Sequence, residues 1–324
     1  IGGANQTYGA NYSVAGTVAI TSGIPLKTGD ILTNKETYLE EGKYLSGAYT
    51  LGEILAMQGY NLEIMLGSDS TFGGRKQYFE TNGNYKVFDV NYAIQQGKMT
   101  ENEKEWWGFE DDKLFQWSKE EITNLAKQGS PFNYIMVTAD THFVDGYLSK
   151  NAEKKFDSQY ENVYAYSSKS INEFVEWLKR QDFYENTTIV ILGDHLGMQT
   201  DFYKQKMEDN YDRTIFNVII NGVIEAKNNK NRIFTSMDMY PTILASIGIK
   251  IEGERLGIGT NLYSGEPTLA ELKGLEVFND EISKKSDWYN KHILGDDYYV
   301  MKKNTQKESE VKNEENINNN TSIQ

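Results

Sequence analysis

Three short apolar runs constrain the fold of this chain more than any other feature of its sequence. They are NLEIML (Asn61 to Leu66), NYIMVT (Asn133 to Thr138) and TTIVIL (Thr187 to Leu192). None of them alternates cleanly with polar residues, which is typical of strands covered on both faces of a parallel sheet. A fourth run, TIFNVIIN (Thr214 to Asn221), predicts a further strand.

Helical patterns separate these runs. Apolar residues recur at three- and four-residue spacing around residues 51–57, 114–125, 160–178 and 235–247. Gly248 follows the last of these segments, as glycine commonly does where a helix ends. Strands that alternate with helices predict an α/β fold, with a central, mostly parallel sheet flanked by helices.

The composition excludes several classes of protein. The chain has no cysteine, so a disulfide framework, a thiolate metal site and a cysteine nucleophile are excluded. The formal net charge of −14 argues against nucleic acid as a partner, because nucleic-acid binding needs a positive surface. Residues 302–324 contain almost no core-forming side chains and predict a disordered tail after one domain over residues 1–301.

Chemically useful side chains follow three of the predicted strands. They are Asp69 and Arg75 after the first, His142 after the second, and Asp194 and His195 after the third. Ligands of open α/β sheets bind beyond the carboxyl ends of the strands. We therefore expect these side chains to share one rim of the sheet.

Each of these residues has a functional and a structural interpretation. Asp194 with His195 can bind one divalent ion, or can cap a helix and pack in the core. Arg75 suits bidentate contact with a phosphate, and is otherwise a surface residue. His142 is a candidate acid, base or phosphate donor, or a structural histidine. Asp69 can hold a substrate hydroxyl or close a turn.

Ser13 lies at the start of a short apolar helix within NYSVAGTVAITSGIPL (residues 11–26). The amino end of a helix offers free N–H groups and the positive end of the helix dipole, so it favours an anion. A hydroxyl at this position that touches a divalent metal is a candidate nucleophile. The alternative is a simple N-cap.

Six segments resemble the phosphoglycerol transferase and lipoteichoic acid synthase family of the alkaline phosphatase and sulfatase superfamily. They are YSVAGTVAITSGIPL, FGGRKQYFETNG, WWGFEDDKLF, TADTHFVDGYLS, TTIVILGDHLGM and MDMYPTILASIGI. Their order and spacing match the family from Tyr12 to about Leu294. The resemblance implies the α/β sandwich of that superfamily.

The resemblance also implies roles for individual residues. Ser13 stands where the family has a threonine that acts as nucleophile and metal ligand, and Asp194 and His195 match its metal-binding pair. One divalent ion is implied, with Mn²⁺ the first choice and Mg²⁺ or Zn²⁺ as alternatives. The substrate pocket is implied to include Asp69, Arg75 and His142, of which His142 is also catalytic.

The implied reaction transfers phosphoglycerol from a phosphatidylglycerol-type lipid to a glycan or glycerol-phosphate acceptor, through a covalent intermediate at the extracytoplasmic face of the cell membrane. The family has a further Glu ligand at the end of an upstream strand, with membrane helices before it. The chain begins at Ile1, and no acidic residue precedes Ser13. We therefore expect the first strand, this Glu and the membrane helices to belong to sequence upstream of the chain.

Sulfate-ester hydrolysis is not expected, because Ala15 and Thr17 stand where the sulfatase pattern C/S-x-P-x-R has Pro and Arg. Two other functions stay open. One is a phosphodiesterase or phosphatase that passes the intermediate to water. The other is a protein of the cell envelope that binds a glycan or a lipid headgroup without turnover.

Overall fold

The computed structural model describes residues 2–27, 42–208, 211–228 and 230–295. Within these ranges the helices are α1 (Ser13–Ser22), α2 (Leu51–Met57), α3 (Arg75–Thr81), α4 (Val90–Gln95), α5 (Asp111–Lys127), α6 (Gln159–Leu178), α7 (Thr200–Lys206), α8 (Met239–Ser246), α9 (Leu269–Lys273), α10 (Leu275–Ser283) and α11 (Asp287–Tyr289). The strands are β1 (Asn61–Leu66), β2 (Lys86–Phe88), β3 (Phe132–Val137), β4 (Ile189–Leu192), β5 (Asn217–Ile220), β6 (Arg255–Leu256) and β7 (Gly259–Thr260). The tail predicted for residues 302–324 lies outside the described residues.

The sheet that positions the site is parallel, in the order β2-β1-β3. Ile64 of β1 lies opposite Val87 of β2 on one side and Ile135 of β3 on the other. Helices α2 and α5 both contact β1. The predicted α/β fold with a parallel sheet flanked by helices is therefore confirmed.

The pairing of the later strands differs from the prediction. Strand β4 pairs with β5 in an antiparallel ladder, with Val190 opposite Ile219. In the part of the chain that the structure describes, neither strand is hydrogen-bonded to β3. An apolar run reads the same in either direction, so its sequence could not reveal this orientation.

Burial of the strands is also less complete than expected. Five of the six residues of β1 are buried, whereas β3 and β4 are half-buried throughout. The reason is position, since β1 has a strand on each side. Among the described residues, β3 and β4 each have a strand on one side only.

Helix α1 lies within the core and has no exposed residue. Val14, Ala15 and Val18 pack in a cluster with residues of β1 and α8. Gly23 ends the helix in the left-handed conformation, with φ of 66°. Because one side of α1 packs on the sheet and another on α8, its first turn is held firmly at the rim of β1.

None of the helices in the described ranges is both long enough and apolar enough to cross a membrane.

Candidate active site

Ser13 is the first residue of α1, and its hydroxyl lies at the rim of the sheet. Tyr12 is the N-cap residue, and no side chain caps this end of the helix. The N-cap alternative for Ser13 is therefore wrong, because the extended backbone that an N-cap requires belongs to Tyr12. The hydroxyl is half-buried and sits where free helix N–H groups and the helix dipole favour an anion.

The loop after β4 brings Asp194 and His195 to this hydroxyl. Ser13 Oγ lies 3.3 Å from His195 Nε2, and Asp194 Oδ2 lies 3.6 Å from the same nitrogen. The contact depends on Gly16, since a Cβ there would lie 2.1 Å from the carbonyl oxygen of Asp194. The glycine therefore lets the backbone of the loop rest directly on α1.

The hydrogen bonds of His195 fix its tautomer. Its Nδ1 lies 2.8 Å from the carbonyl oxygen of Leu196, and a carbonyl can only accept, so Nδ1 carries the hydrogen. In the neutral ring Nε2 is then an acceptor, and it faces Ser13 Oγ. The imidazole is held firmly, because only 9% of its side chain is exposed.

Ser13 Oγ, His195 Nε2 and Asp194 Oδ2 are spaced like ligand atoms around one metal ion. Bonds of ~2.0–2.1 Å to a tetrahedral ion place the ligand atoms about 3.3–3.4 Å apart. The two measured separations, 3.3 and 3.6 Å, are close to that spacing. Among the described residues no group of three His, Cys, Asp or Glu side chains could hold a metal, so the metal-binding role of Asp194 and His195 stays a prediction.

The loop after β1 carries Asp69 and ends at Arg75, the first residue of α3, and it also packs on the first turn of α1. Gly73 has φ of 67°, and a Cβ there would lie 2.5 Å from Val14 Cγ2. Arg75 donates from Nη2 to Ser68 Oγ and to the carbonyl oxygen of Asp69. These bonds hold the guanidinium at the rim.

Electrostatics connect Arg75 to the centre of the site. Burial lowers the pKa of Arg75, and the charges of Asp69, Asp89 and Asp194 act in the opposite direction. Arginine keeps its charge in proteins, so a partly desolvated cation faces the carboxylate of Asp194. An anionic substrate group would meet both this cation and the amino end of α1.

Asp69 closes its own turn. Its Oδ1 accepts hydrogen bonds from the backbone N–H and the hydroxyl of Thr71. Burial alone would raise its pKa, but the hydrogen bonds from Thr71 and Asn91 and the charge of Arg75 lower it. The structure thus gives this carboxylate a turn-closing role, and its proposed contact with substrate stays a prediction.

The loop after β3 carries His142, and a pair of carboxyl groups fastens that loop to α5. Asp111 accepts hydrogen bonds from the backbone N–H groups of Ala139 and Asp140, and Asp140 accepts one from the N–H of Asp111. Burial and the charge of Asp111 raise the pKa of Asp140. This arrangement fixes the loop at the same rim as α1.

The hydrogen bond of His142 fixes its tautomer and leaves Nε2 without a hydrogen in the neutral ring. Its Nδ1 lies 2.6 Å from the carbonyl oxygen of Phe143 and therefore carries the hydrogen. Burial lowers the pKa of His142, with His195 lowering it further and the Phe143 carbonyl and Asp194 opposing the shift. The ring of Trp107 packs edge-on against it, 4.1 Å between centroids. A neutral imidazole at neutral pH follows from the lowered pKa.

All six sequence-predicted residues thus lie around the amino end of α1. Ser13 begins that helix, Arg75 begins α3, and the other four lie on the loops that follow β1, β3 and β4. The sequence did not single out Gly16, Gly73, Trp107 or Gln6. Gln6 accepts a hydrogen bond from the backbone N–H of Leu196 and so holds the His195 loop. A glycine in an apolar helix is a recognisable signal of close packing, whereas nothing local marked Gln6.

Comparison with known proteins now adds to the geometry. The sequence pattern of the sulfatase family matches residues 4–249. The chain belongs to the sulfatase family. This membership, the curated relatives and the solved structures confirm the resemblance read from the sequence.

Two curated relatives are named phosphoglycerol transferase I. The protein of Citrobacter koseri is 26% identical over 280 residues, which is 82% of this chain and 34% of that protein. The protein of Xanthomonas axonopodis pv. citri is 31% identical over 214 residues, which is 63% of this chain and 30% of that protein. The chain therefore spans about a third of the length of these relatives.

Two solved structures share the fold. The lipoteichoic acid synthase LtaP from Listeria monocytogenes has a TM-score of 0.63 at 17% identity, covering 80% of this chain and 66% of that one. A protein of the alkaline phosphatase superfamily from Vibrio parahaemolyticus has a TM-score of 0.54 at 21% identity, covering 75% and 56%. At these identities the likeness supports the α/β fold of the superfamily.

Proposed function

We propose that the chain is the catalytic part of a phosphoglycerol transferase, with Ser13 as nucleophile. The observation that carries the proposal is the 3.3 Å contact between Ser13 Oγ and His195 Nε2 at the amino end of a buried helix. The names of the curated relatives support the same reaction. The donor is a phosphatidylglycerol-type lipid and the acceptor is an envelope glycan or a glycerol-phosphate polymer, at the extracytoplasmic face of the membrane.

In the first half-reaction Ser13 Oγ attacks the phosphorus of the donor. The Oγ–P bond forms and the bond from phosphorus to the diacylglycerol oxygen breaks, and the proton lost by Ser13 leaves with that alcohol. The guanidinium of Arg75 and the N–H groups of the first turn of α1 offset the charge that develops on the phosphate oxygens. The product is phosphoglycerol bound to Ser13.

In the second half-reaction His142 acts as base. Its Nε2 accepts the proton of an acceptor hydroxyl, whose oxygen attacks phosphorus as the bond to Ser13 Oγ breaks. His142 then releases that proton to solvent, and the Ser13 oxygen takes up one in return, so that both residues regain their starting states. Because the attacking and leaving oxygens of a phosphoryl transfer lie in line, the acceptor oxygen enters opposite Ser13 Oγ, at the position that the diacylglycerol has left.

Asp194, His195 and Ser13 would hold one divalent ion, with Mn²⁺ as the first choice and Mg²⁺ or Zn²⁺ as alternatives. Such an ion lowers the pKa of a hydroxyl bound to it and balances charge on a phosphoryl oxygen. The half-exposed carboxylate of Asp194, with 41% of its side chain accessible, leaves room beside it for substrate oxygens.

The experiment is to trap the intermediate. The chain is incubated with phosphatidylglycerol in detergent micelles without acceptor, and intact-protein and peptide mass spectrometry are used to find a phosphoglycerol group on Ser13. We expect the adduct in the wild-type chain and in Ser13→Thr, and no adduct in Ser13→Ala. Ser22→Ala, a serine replacement near the other end of the same helix, is the matched control and should form the adduct.

An adduct in Ser13→Ala would place the nucleophile elsewhere. Release of free glycerol phosphate without acceptor, at a rate that added acceptor does not change, would favour the phosphodiesterase alternative. No adduct in the wild-type chain, with lipid bound, would favour the binding protein.

A further inference from the structure

A pair of exposed tryptophans stands beside His142, and the reaction described above does not use it. Trp106 is 39% exposed and Trp107 is 48% exposed, and their rings stack at 5.4 Å with an angle of 13° between the planes. Tyr147 lies 6.3 Å from the ring of Trp106 and donates from its hydroxyl to Glu105. We call these four residues, Glu105, Trp106, Trp107 and Tyr147, the tryptophan ledge.

The backbone of the ledge is built into the rim of the sheet. Glu105 and Gly108 exchange two backbone hydrogen bonds across a tight turn that has the tryptophans at its tip. The next residue, Phe109, donates from its N–H to the carbonyl oxygen of Gly67, directly after β1. A Cβ on Gly108 would lie 2.0 Å from that same oxygen, so the turn is anchored next to the Asp69 loop.

Trp106 adopts a conformation that bulky residues rarely adopt, with φ of 56°. Strained backbone of this kind concentrates at functional sites, where a side chain must be aimed in one direction. Here the direction is outward, so that two flat apolar rings face solvent beside the candidate base. Large exposed aromatic surfaces on a soluble domain commonly mark binding sites.

The charge around the ledge limits what can bind it. Burial raises the pKa of Tyr147 to about 12, with the charges of Glu105, Glu110 and Asp140 adding to the effect. A polyanion such as a glycerol-phosphate chain, or an anionic membrane surface, would be repelled by the carboxylate of Glu105. A neutral polyol would not be repelled, and its hydroxyls could donate to the Glu105 carboxylate.

We propose that the tryptophan ledge is the acceptor subsite and that it binds a neutral pyranose ring of a glycan. A pyranose has an apolar face of C–H groups that stacks on an indole, and hydroxyls around its edge that reach a carboxylate. The ring of Trp107 lies 4.1 Å from that of His142, so a sugar on the ledge has its next hydroxyl close to the base. The inference rests on the proposed function and selects the glycan from its two acceptors.

The test is a binding measurement that needs no turnover. Laminaripentaose, cellopentaose and maltopentaose are titrated into the full chain by calorimetry, with phosphatidylglycerol vesicles and poly(glycerol phosphate) as separate probes. We expect at least one pentasaccharide to bind, and Trp106→Ala to weaken its binding about tenfold, as truncation of an aromatic anchor typically does. Trp106→Tyr should restore most of the affinity, because it keeps a flat ring.

Trp288→Ala is the matched control. Trp288 is 65% exposed and stacks near His292 in a different part of the chain, so its removal should leave pentasaccharide binding unchanged. Circular dichroism and thermal melting of each variant will show whether it is folded. If Trp106→Ala does not fold, Glu105→Gln and Trp106→Tyr give the same comparison, with weakened and retained binding respectively.

Three results would overturn the proposal. The first is that no pentasaccharide binds the wild-type chain. The second is equal binding by Trp106→Ala and wild type. The third is that Trp106→Ala loses binding to vesicles or to poly(glycerol phosphate) while its binding to the sugars is unchanged. The same titration on Ser13→Ala separates the hypothesis of sugar binding on the tryptophan ledge from the hypothesis that Ser13 is the nucleophile. This variant should keep sugar binding even if the proposed chemistry is wrong.

Discussion

The close packing of Gly16 against Asp194 makes Gly16→Ala a sharp test of the site. The added Cβ would lie 2.1 Å from the Asp194 carbonyl oxygen, about 1.3 Å inside the 3.4 Å at which ordinary contact begins. Since the obstacle is backbone, the Asp194 loop must move by a distance of that order. His195 would move with it and leave its contact with Ser13.

Two effects on stability oppose each other in this variant. Alanine is favoured over glycine inside a helix by about 1 kcal/mol. Forcing an extra carbon into a packed interior costs about 1–3 kcal/mol. We expect Gly16→Ala to lower the free energy of unfolding by about 1 kcal/mol, and the rate of adduct formation by about a hundredfold, because a displacement near 1 Å has that effect on catalysis.

Val18→Ala is the control, since Val18 lies two residues further along the same helix and its side chain is fully buried. It should lower the free energy of unfolding by about 2 kcal/mol through loss of buried methyl groups, yet keep the Ser13 to His195 contact and most of the activity. Urea unfolding and initial rates of adduct formation measure both quantities. Wild-type activity in Gly16→Ala would refute the argument that this contact aligns the nucleophile.

Three further predictions follow from the charged groups. Metal analysis should find about one equivalent of a divalent ion in the chain and much less in Asp194→Ala, because the variant removes one of two strong ligands; unchanged occupancy would place the ion elsewhere. Transfer activity should fall as the pH drops through a value below the ordinary histidine pKa of about 6.5, because the neutral form of His142 is needed. Burial and the neighbouring His195 lower the pKa of His142, and the neighbouring Asp194 opposes that shift. An acid limb of the pH profile that persists in His142→Gln would contradict this. Asp140→Asn should raise the melting temperature at pH 8 and have little effect at pH 4. A carboxyl whose pKa is raised on folding stabilises the fold below its unfolded pKa and loses that contribution as pH rises through the folded pKa. Here burial and the charge of Asp111 raise the pKa, and asparagine can still accept the hydrogen bond from Asp111. Equal shifts at both pH values would show that ionisation of the buried Asp140 carboxyl is not the cause.

The sequence predicted those helices and strands that are marked by an apolar run or an amphipathic pattern within their own residues. Strand β1 begins and ends at Asn61 and Leu66, as its apolar run indicates, because it is the strand buried between two others. Helix α6 follows the long amphipathic pattern that ends at Leu178. The three residues of β2 are too few to give a periodic signal, so that strand was not predicted.

The sequence predicted that the site residues share one rim, but it did not predict their contacts, and their roles stay predictions. Polar residues after strands identify the rim, whereas the approach of Gly16 to Asp194 and of Gly73 to Val14 depends on tertiary packing. The sequence also could not show that Asp69 Oδ1 accepts hydrogen bonds from Thr71. Nor could it show that Trp106 and Trp107, adjacent in the chain, would stack side by side at the surface.

Because α1 is buried, Ser13 should be less mobile than the other residues of the site. The candidate nucleophile belongs to a helix with no exposed residue, whereas four of its five predicted partners lie on loops at the rim and Arg75 begins the short helix α3. Amide hydrogens of α1 should exchange only in large unfolding events, and those of the loops in small local openings. Changes in the sequence of these segments can therefore alter what is bound while the position of the Ser13 oxygen is preserved.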